Sequence, residues 1–254
     1  MRFLNTLLLV SACSLPSFSY ALNVEPANWW VGMNKNNITV LVHEQNIANE
    51  EFKLDKYKGV ELNNVTRTDN PNYAFLHLNI SDNAKAGTLQ FKSSDPVHSF
   101  EFPLLTRDKH SAQRQGFTNP GVCVGSISDE KNDTVRGMLE SVNTSFKGGR
   151  HGGDIQGVIN ALPYLNNLGV TQLWLTPVLE NNMPDYSYHG YAITDFYNVD
   201  PRMGSNQLYK TLSTKAKEHG IGLVMDMVLN HFGSEHLWMK DKPTQDWINF
   251  NGQF

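Results

Sequence analysis

Five residues in two short segments carry the side chains best suited to binding a ligand. Asp226, Asn230 and His231 lie in one six-residue run, and His189 and Tyr191 flank a glycine in the other. A carboxylate accepts hydrogen bonds from hydroxyl groups or from a cationic side chain, and an imidazole N–H donates one. A tyrosine ring can stack on another ring face. The two segments therefore predict a site for a ligand with hydroxyl groups and an apolar face, such as a sugar.

A second group of oxygen donors precedes the first predicted helix. Its members are Asp129, Asn132, Asp133, Gly152 and Asp154. Calcium takes about six to eight oxygen ligands from carboxylates, amides and backbone carbonyls, so donors grouped in this way suit that ion. The group predicts a structural calcium site, and a solvated acidic loop is the alternative interpretation.

Short runs of β-forming residues alternate with turn residues up to about residue 105. The runs cover residues 38–42, 73–80, 87–91 and 98–102. In the second run the apolar residues alternate and so share one face of the strand: Ala74, Leu76, Leu78 and Ile80. Strands at this spacing predict a small antiparallel β-sandwich.

Two helices are predicted after about residue 120. The first begins at the N-cap Asp154 and ends at Gly169, and the second begins at the N-cap Ser205 and ends at Gly220. Apolar residues at helical spacing fill both segments, and a glycine beyond the last turn is typical of a helix C-terminus.

Two apolar strands accompany these helices, at residues 170–175 and 221–228, with a long polar loop to about residue 204 between the first strand and the second helix. Nearly continuous apolar strands that alternate with helices predict a parallel sheet covered by helices. Functional side chains gather at the C-terminal ends of the strands in such sheets. Both segments with candidate ligand-binding residues follow such ends.

The motifs at these strand ends resemble a known family. Asp-x-Val-x-Asn-His, here from Asp226 to His231, is similar to the first signature of glycoside hydrolase family 13, the α-amylase superfamily. Tyr-His-Gly-Tyr after Leu-Trp-Leu-Thr-Pro resembles the loop that follows the second barrel strand of that family. The front half is similar to the β-sandwich that precedes the barrel in cyclomaltodextrinases and neopullulanases.

The resemblance implies a fold and a reaction. An Ig-like sandwich at residues 22–105 would precede a truncated (β/α)8 barrel at 120–254, which would hold strands one to three. The activity implied is hydrolysis of α-1,4 bonds in starch, maltodextrin, cyclodextrin or pullulan by a retaining mechanism. Two departures are evident: residues 119–126 lack the Asp-Arg pair expected in the first barrel strand, and Ile127 replaces an expected calcium-binding Asn.

The resemblance also implies roles for individual residues. His231 would contact the sugar next to the scissile bond, Tyr191 would stack beneath it, and His189 would line the same subsite. Asp226 would form part of the site floor, although a structural role suits it equally well. Asn230 ligates calcium in α-amylases proper, and the other calcium ligands would flank the Gly-Gly-Asp turn that ends at Asp154.

No catalytic residue is assigned. The family's nucleophile, acid and third carboxylate follow barrel strands four, five and seven, and we expect none of them in this chain. The 254-residue chain should therefore be inactive alone. The alternatives are a non-catalytic secreted glucan-binding protein and the product of a decayed gene.

Composition and the first residues indicate location and partners. The net charge of −4 and the lack of a basic stripe argue against nucleic acid as a partner. A short apolar stretch and Ser19-Tyr20-Ala21 predict a signal peptide at residues 1–21, too short to span a membrane, and hence a secreted or periplasmic protein. Lipid anchoring through Cys13 is the alternative. The resemblance further implies a homodimer formed through the N-terminal domain.

Overall fold

The computed structural model describes residues 22–107 and 134–249. The predicted cleavage site, Cys13, the altered first barrel strand and the calcium candidates Asp129, Asn132 and Asp133 lie outside these ranges. The chain divides into two compact units, residues 1–107 and 108–254. Among the described residues, no helix has the length and apolar character needed to cross a membrane.

Eight strands lie in the described part of the N-terminal unit. They are β1 Asn23–Glu25, β2 Trp29–Trp30, β3 Asn37–His43, β4 Phe52–Leu54, β5 Val60–Arg67, β6 Tyr73–Ile80, β7 Gly87–Ser93 and β8 Phe100–Leu105. They form two four-stranded sheets with the orders β1-β3-β6-β5 and β2-β8-β7-β4. The sandwich predicted from the strand spacing is confirmed.

Alternation of apolar residues places the core between the sheets. The strand predicted at residues 73–80 is β6, and its even-numbered residues from Ala74 to Ile80 are all buried. They meet Leu89, Phe91 and Phe102 from the second sheet within one apolar cluster. Because successive strand residues point to opposite faces, this alternation was sufficient to predict the buried face.

Two details of the sandwich differ from the prediction. The strand expected at residues 98–102 is Phe100–Leu105, because a short 3-10 turn, Pro96–His98, occupies the preceding residues. Asp95 caps this turn by accepting a hydrogen bond from the Val97 amide. The sheets are also not wholly antiparallel, since β2 pairs with β8 in parallel.

Between residues 134 and 249, the C-terminal unit contains three α-helices and four strands. They are α1 Ile155–Asn167, β9 Gln172–Trp174, β10 Leu179–Glu180, β11 Asp195–Val199, α2 Asn206–Glu218, β12 Gly222–Val224 and α3 Leu237–Lys240. The predicted caps are present: Asp154 accepts from the Gly157 amide, and Ser205 accepts from the Leu208 amide. Gly169 and Gly220, which follow the helix ends, have positive φ angles.

The predicted parallel pairing is also confirmed. β9 and β12 pair in parallel, with Leu173 opposite Leu223 and Trp174 opposite Val224. Leu162 of α1 and Leu212 of α2 belong to the same apolar cluster as Leu173. This packing sets the C-terminal ends of β9 and β12 side by side.

Two predictions for this unit were wrong in extent. The strand expected at residues 221–228 ends at Val224, and Met225, Met227 and Leu229 beyond it are exposed. The long polar loop contains an antiparallel pair, β10 and β11, and a 3-10 turn, Ser187–His189. Strands of two and five residues are too short to show the apolar periodicity that would have revealed them.

Candidate functional site

The ends of β9 and β12 bring an indole and a carboxylate together. Trp174 is the last residue of β9, and Asp226 follows β12 by two residues. The Trp174 Nε1–H donates to Asp226 Oδ2 at 3.2 Å. The Tyr191 hydroxyl donates to the same oxygen at 3.1 Å. One carboxylate oxygen therefore orients two aromatic side chains from different parts of the chain.

The two predicted histidines join the same group. The Tyr191 amide donates to His189 Nδ1 at 2.9 Å, and their rings lie 5.8 Å apart with an interplanar angle of 32°. His231 Nε2 lies 3.0 Å from the Tyr191 carbonyl oxygen, which can only accept, so Nε2 carries the proton. Asn230 Nδ2 lies 3.4 Å from His231 Nδ1, a weaker contact consistent with that tautomer.

The group presents flat apolar surface beside polar atoms. Trp174 is 51% exposed and Tyr191 is 41% exposed. His231 is exposed, and Asp226 and His189 are half-buried. Exposed rings held by hydrogen bonds to a carboxylate suit a ligand with one apolar face and a rim of hydroxyl groups.

The surroundings of His189 favour the neutral form of its imidazole ring. Burial lowers the pKa of His189, and the negative charge of Glu140 opposes this effect without reversing it. Because Nδ1 accepts from the Tyr191 amide, the proton of the neutral ring resides on Nε2. His189 is therefore a hydrogen-bond donor through Nε2 at neutral pH.

A glycine sets the path of the loop between His189 and Tyr191. Gly190 has a φ of 81°, and a Cβ at this position would collide with the Pro177 carbonyl oxygen. Pro177 closely follows β9, so the His-Gly-Tyr loop lies directly against that strand end. Only glycine tolerates both the backbone conformation and the close approach.

Comparison with known proteins identifies the family. The alpha amylase catalytic domain family matches residues 90–250, and the cyclomaltodextrinase N-terminal family matches residues 23–108. The chain belongs to the α-amylase family. Its fold is accordingly an Ig-like cyclomaltodextrinase N-terminal domain followed by part of the α-amylase catalytic barrel.

Similar proteins include several bacterial enzymes. The Beta/alpha-amylase of Paenibacillus polymyxa is 37% identical over 131 residues, which cover 50% of this chain and 11% of the relative. The Alpha-amylase SusG of Bacteroides thetaiotaomicron is 43% identical over 105 residues, covering 39% and 15%. The solved structure of an Anoxybacillus α-amylase is 34% identical, covers 47% of this chain and 25% of that one, and has a TM-score of 0.43.

This α-amylase family chain thus spans less than a fifth of the length of these two curated relatives. Within it, the structure brings together all four predicted sugar-contact residues: His189, Tyr191, Asp226 and His231. Trp174 was not among the predicted site residues. Its place at the end of an apolar strand was the sequence signal that could have included it.

The predicted calcium ligands are only partly described. Gly152 has a φ of 78°, and Asp154 is buried with Oδ1 2.6 Å from the Gly157 amide that it caps. Capping engages one carboxylate oxygen of Asp154 and directs the side chain toward the start of α1. The structure therefore places Asp154 as a helix cap, and its role as a calcium ligand stays a prediction.

Proposed function

We propose that this chain is part of an α-glucan hydrolase that acts on α-1,4-glycosidic bonds with retention, and that its own contribution is to hold the glucan. The main support for this proposal is the group formed by Trp174, Tyr191 and Asp226, in which one carboxylate oxygen accepts a hydrogen bond from each aromatic side chain. Starch, maltodextrin, cyclodextrin and pullulan all present the sugar faces that such a group would bind.

The contacts support distinct roles within the site. Tyr191 offers its ring face while its hydroxyl and backbone are fixed at three points, by Asp226, His189 and His231. Fixing the ring before the ligand arrives lowers the entropy cost of binding. His231 already donates its Nε2–H to Tyr191, so a direct bond to a sugar hydroxyl would replace that contact.

The same contacts bear on catalysis. A retaining glycosidase needs two carboxyl groups about 5–5.5 Å apart, one as nucleophile and one as acid/base. In the described part of the chain, hydrogen bonds bring one carboxylate, Asp226, into the Trp174–Tyr191 group. We propose that the 254-residue chain binds glucan without hydrolysing it, which the hydrolysis assay below tests. A non-catalytic glucan-binding protein is the second candidate, since the contacts of this group suit binding.

Glucan binding is tested by titrating the 254-residue chain with maltoheptaose and β-cyclodextrin while following tryptophan fluorescence. We expect saturable quenching, because Trp174 is exposed at the site. Tyr191→Ala should weaken binding roughly tenfold, since it removes both the ring and the donor to Asp226. Tyr164→Ala is the matched control, because Tyr164 is 66% exposed on α1. Absence of binding by the unmodified chain would refute the proposal.

Hydrolysis is tested separately with the same sugars and with pullulan, resolved by chromatography. We expect no products from the chain alone. Turnover that survives purification and disappears in Asp226→Asn would show that Asp226 is catalytic and that the binding-only role is wrong. A longer protein that carries this sequence and hydrolyses maltoheptaose would favour the enzyme over the non-catalytic binder.

A calcium ion near the turn at Gly152 and Asp154 is a further part of the proposal. It is supported by the carboxylate and the backbone carbonyls of that turn, which are oxygen donors of the kind calcium prefers. Calcium should raise the melting temperature, and chelation should reverse the change. Asp154→Asn separates the two roles, because asparagine caps a helix as well as aspartate does but lacks the charge. An unchanged calcium response in that variant would exclude Asp154 as a ligand.

Export and dimerisation complete the proposal. The apolar stretch before Ala21 supports cleavage after that residue and a secreted or periplasmic location. N-terminal sequencing of the mature protein would test this, and a lipid-modified Cys13 at the N-terminus would refute it. Light scattering would test the homodimer, for which a mass twice that of the chain is expected.

A further inference from the structure

A closed ring of polar contacts holds the 3-10 turn that carries His189. Its members are Glu140, Arg150, Ser187, Asp200 and Arg202, and we call it the Ser187 ring. Arg150, Ser187, Asp200 and Arg202 are buried, and Glu140 is partly buried. Two arginines and two carboxylates balance its charge, as the burial of ionised groups requires.

The contacts can be followed around the ring. Arg150 Nη1 donates to the Ser187 carbonyl oxygen at 3.3 Å and to its Oγ at 3.1 Å, and Arg150 Nη2 lies 4.0 Å from Asp200 Oδ1. Arg202 binds both Asp200 oxygens, at 2.9 and 2.7 Å, and donates to the Glu140 carbonyl oxygen at 2.7 Å. Glu140 Oε2 closes the ring by accepting from the Ser187 amide at 2.7 Å.

Ser187 is the point at which this ring meets the glucan site. Its amide, carbonyl and hydroxyl groups are all bound by ring members, and it is the first residue of the 3-10 turn that ends at His189. Tyr191 follows four residues after Ser187. Displacement of Ser187 would therefore shift both His189 and Tyr191 relative to Asp226.

We propose that Arg150 is a positioning residue for glucan recognition: by holding Ser187 against Asp200, it sets where His189 and Tyr191 stand. The inference rests on the proposed glucan site. Arg150 suits this role because a planar guanidinium can donate in two directions at once, whereas a lysine ammonium provides one point of charge. The three hydrogen bonds from Arg202 to Asp200 do not involve Arg150, so we expect the unit to fold when Arg150 is replaced.

The test uses the 254-residue chain with Arg150→Met and Arg150→Lys. We expect Arg150→Met to weaken β-cyclodextrin binding about tenfold, the lower end of what the loss of a charge-assisted hydrogen bond produces. Arg150→Lys should fall between this variant and the unmodified chain. Lys147→Met is the matched control, since Lys147 is an exposed cation three residues earlier. Affinity is measured at a temperature where circular dichroism shows every variant folded.

Hydrogen exchange supplies a readout that does not depend on the sugar. In Arg150→Met, amide exchange should accelerate in a peptide spanning residues 187–191, while exchange in α2 stays unchanged. Ser187→Ala is the second variant, for use where Arg150→Met fails to fold. It removes one acceptor of Arg150 and should weaken binding about threefold.

The outcomes are distinguishable. Weaker binding with faster exchange confined to the loop supports the positioning role. Unchanged loop exchange in the folded variants overturns it, as does equal acceleration throughout α1 and α2, which would indicate general destabilisation. If the unmodified chain binds no β-cyclodextrin, the proposed function fails, and the loop exchange alone decides the role of Arg150.

Discussion

Replacing Asp200 with asparagine should remove much of the stability of the C-terminal unit. Asp200 is fully buried, and its carboxylate accepts three hydrogen bonds from Arg202 and one from the Asn181 amide. Burial by itself would raise the pKa of Asp200, but the bonds from Arg202 and the charges of Arg150 and Arg202 lower it. The carboxylate is thus ionised at neutral pH and compensates two buried cations.

The size of this stability loss depends on the two buried arginines, which lose their compensating carboxylate. Removing one partner of a buried ion pair costs about 3–5 kcal/mol, because the other charge stays buried without compensation. A domain has only about 5–15 kcal/mol of net stability. Asp200→Asn should therefore leave the unit marginally folded. Since the folded-state pKa is lowered, the stability that ionised Asp200 contributes is present above its ordinary value of 3.8 and is lost as the pH falls through the lowered value.

Native-state hydrogen exchange of α1 and α2 is the assay, because it reports the free energy of unfolding of this unit alone. Glu218→Gln is the control: its bond to Lys215 is exposed, so it should cost about 0–1 kcal/mol. Asp200→Leu combined with Arg202→Met should recover part of the loss, since apolar side chains often replace a buried pair without cost. A change in Asp200→Asn no larger than in Glu218→Gln would refute the reasoning.

Three further predictions concern pH, a glycine and the sandwich core. Burial lowers the pKa of His236 to about 4, so up to about 3 kcal/mol of stability should be lost between pH 6.5 and 4, and His236→Phe should abolish that slope in urea unfolding. Gly190→Ala should lower the melting temperature more than Gly169→Ala, because both have positive φ but only Gly190 faces a colliding carbonyl oxygen. Phe102→Ala should cost about 3–5 kcal/mol in denaturant unfolding, whereas exposed Val97→Ala should cost under about 0.5 kcal/mol.

Local chemistry explains what could be predicted from the sequence. The strand at Tyr73–Ile80 follows from strict apolar alternation, and α1 follows from a capping aspartate, a 3.6-residue period and a terminal glycine. Each of these signals acts over a few residues, so no knowledge of distant contacts is needed. The parallel pairing of β9 with β12 was equally accessible, because nearly continuous apolar strands require neighbours on both sides.

The sequence motifs could name candidate site residues but not the geometry between them. The motifs around His189 and Asp226 named four residues that the structure brings together, yet they did not show that Tyr191 and Trp174 share one oxygen of Asp226. Trp174 and Asp226 are 52 residues apart. Their meeting depends on the register of two parallel strands, which the sequence period does not specify.

The sequence alone did not predict the Ser187 ring, which only the tertiary structure shows. Its five residues come from four places in the chain, at 140, 150, 187 and 200–202, and charged side chains lie on solvated surfaces far more often than in the interior. Arg202 is only two residues from Asp200, but Arg150 is 50 residues away, so only the tertiary structure brings Arg150 to the same carboxylate. Apolar periodicity is local, so it is visible in the sequence. Compensation of a buried charge depends on the distance between two side chains, and only the folded backbone sets that distance.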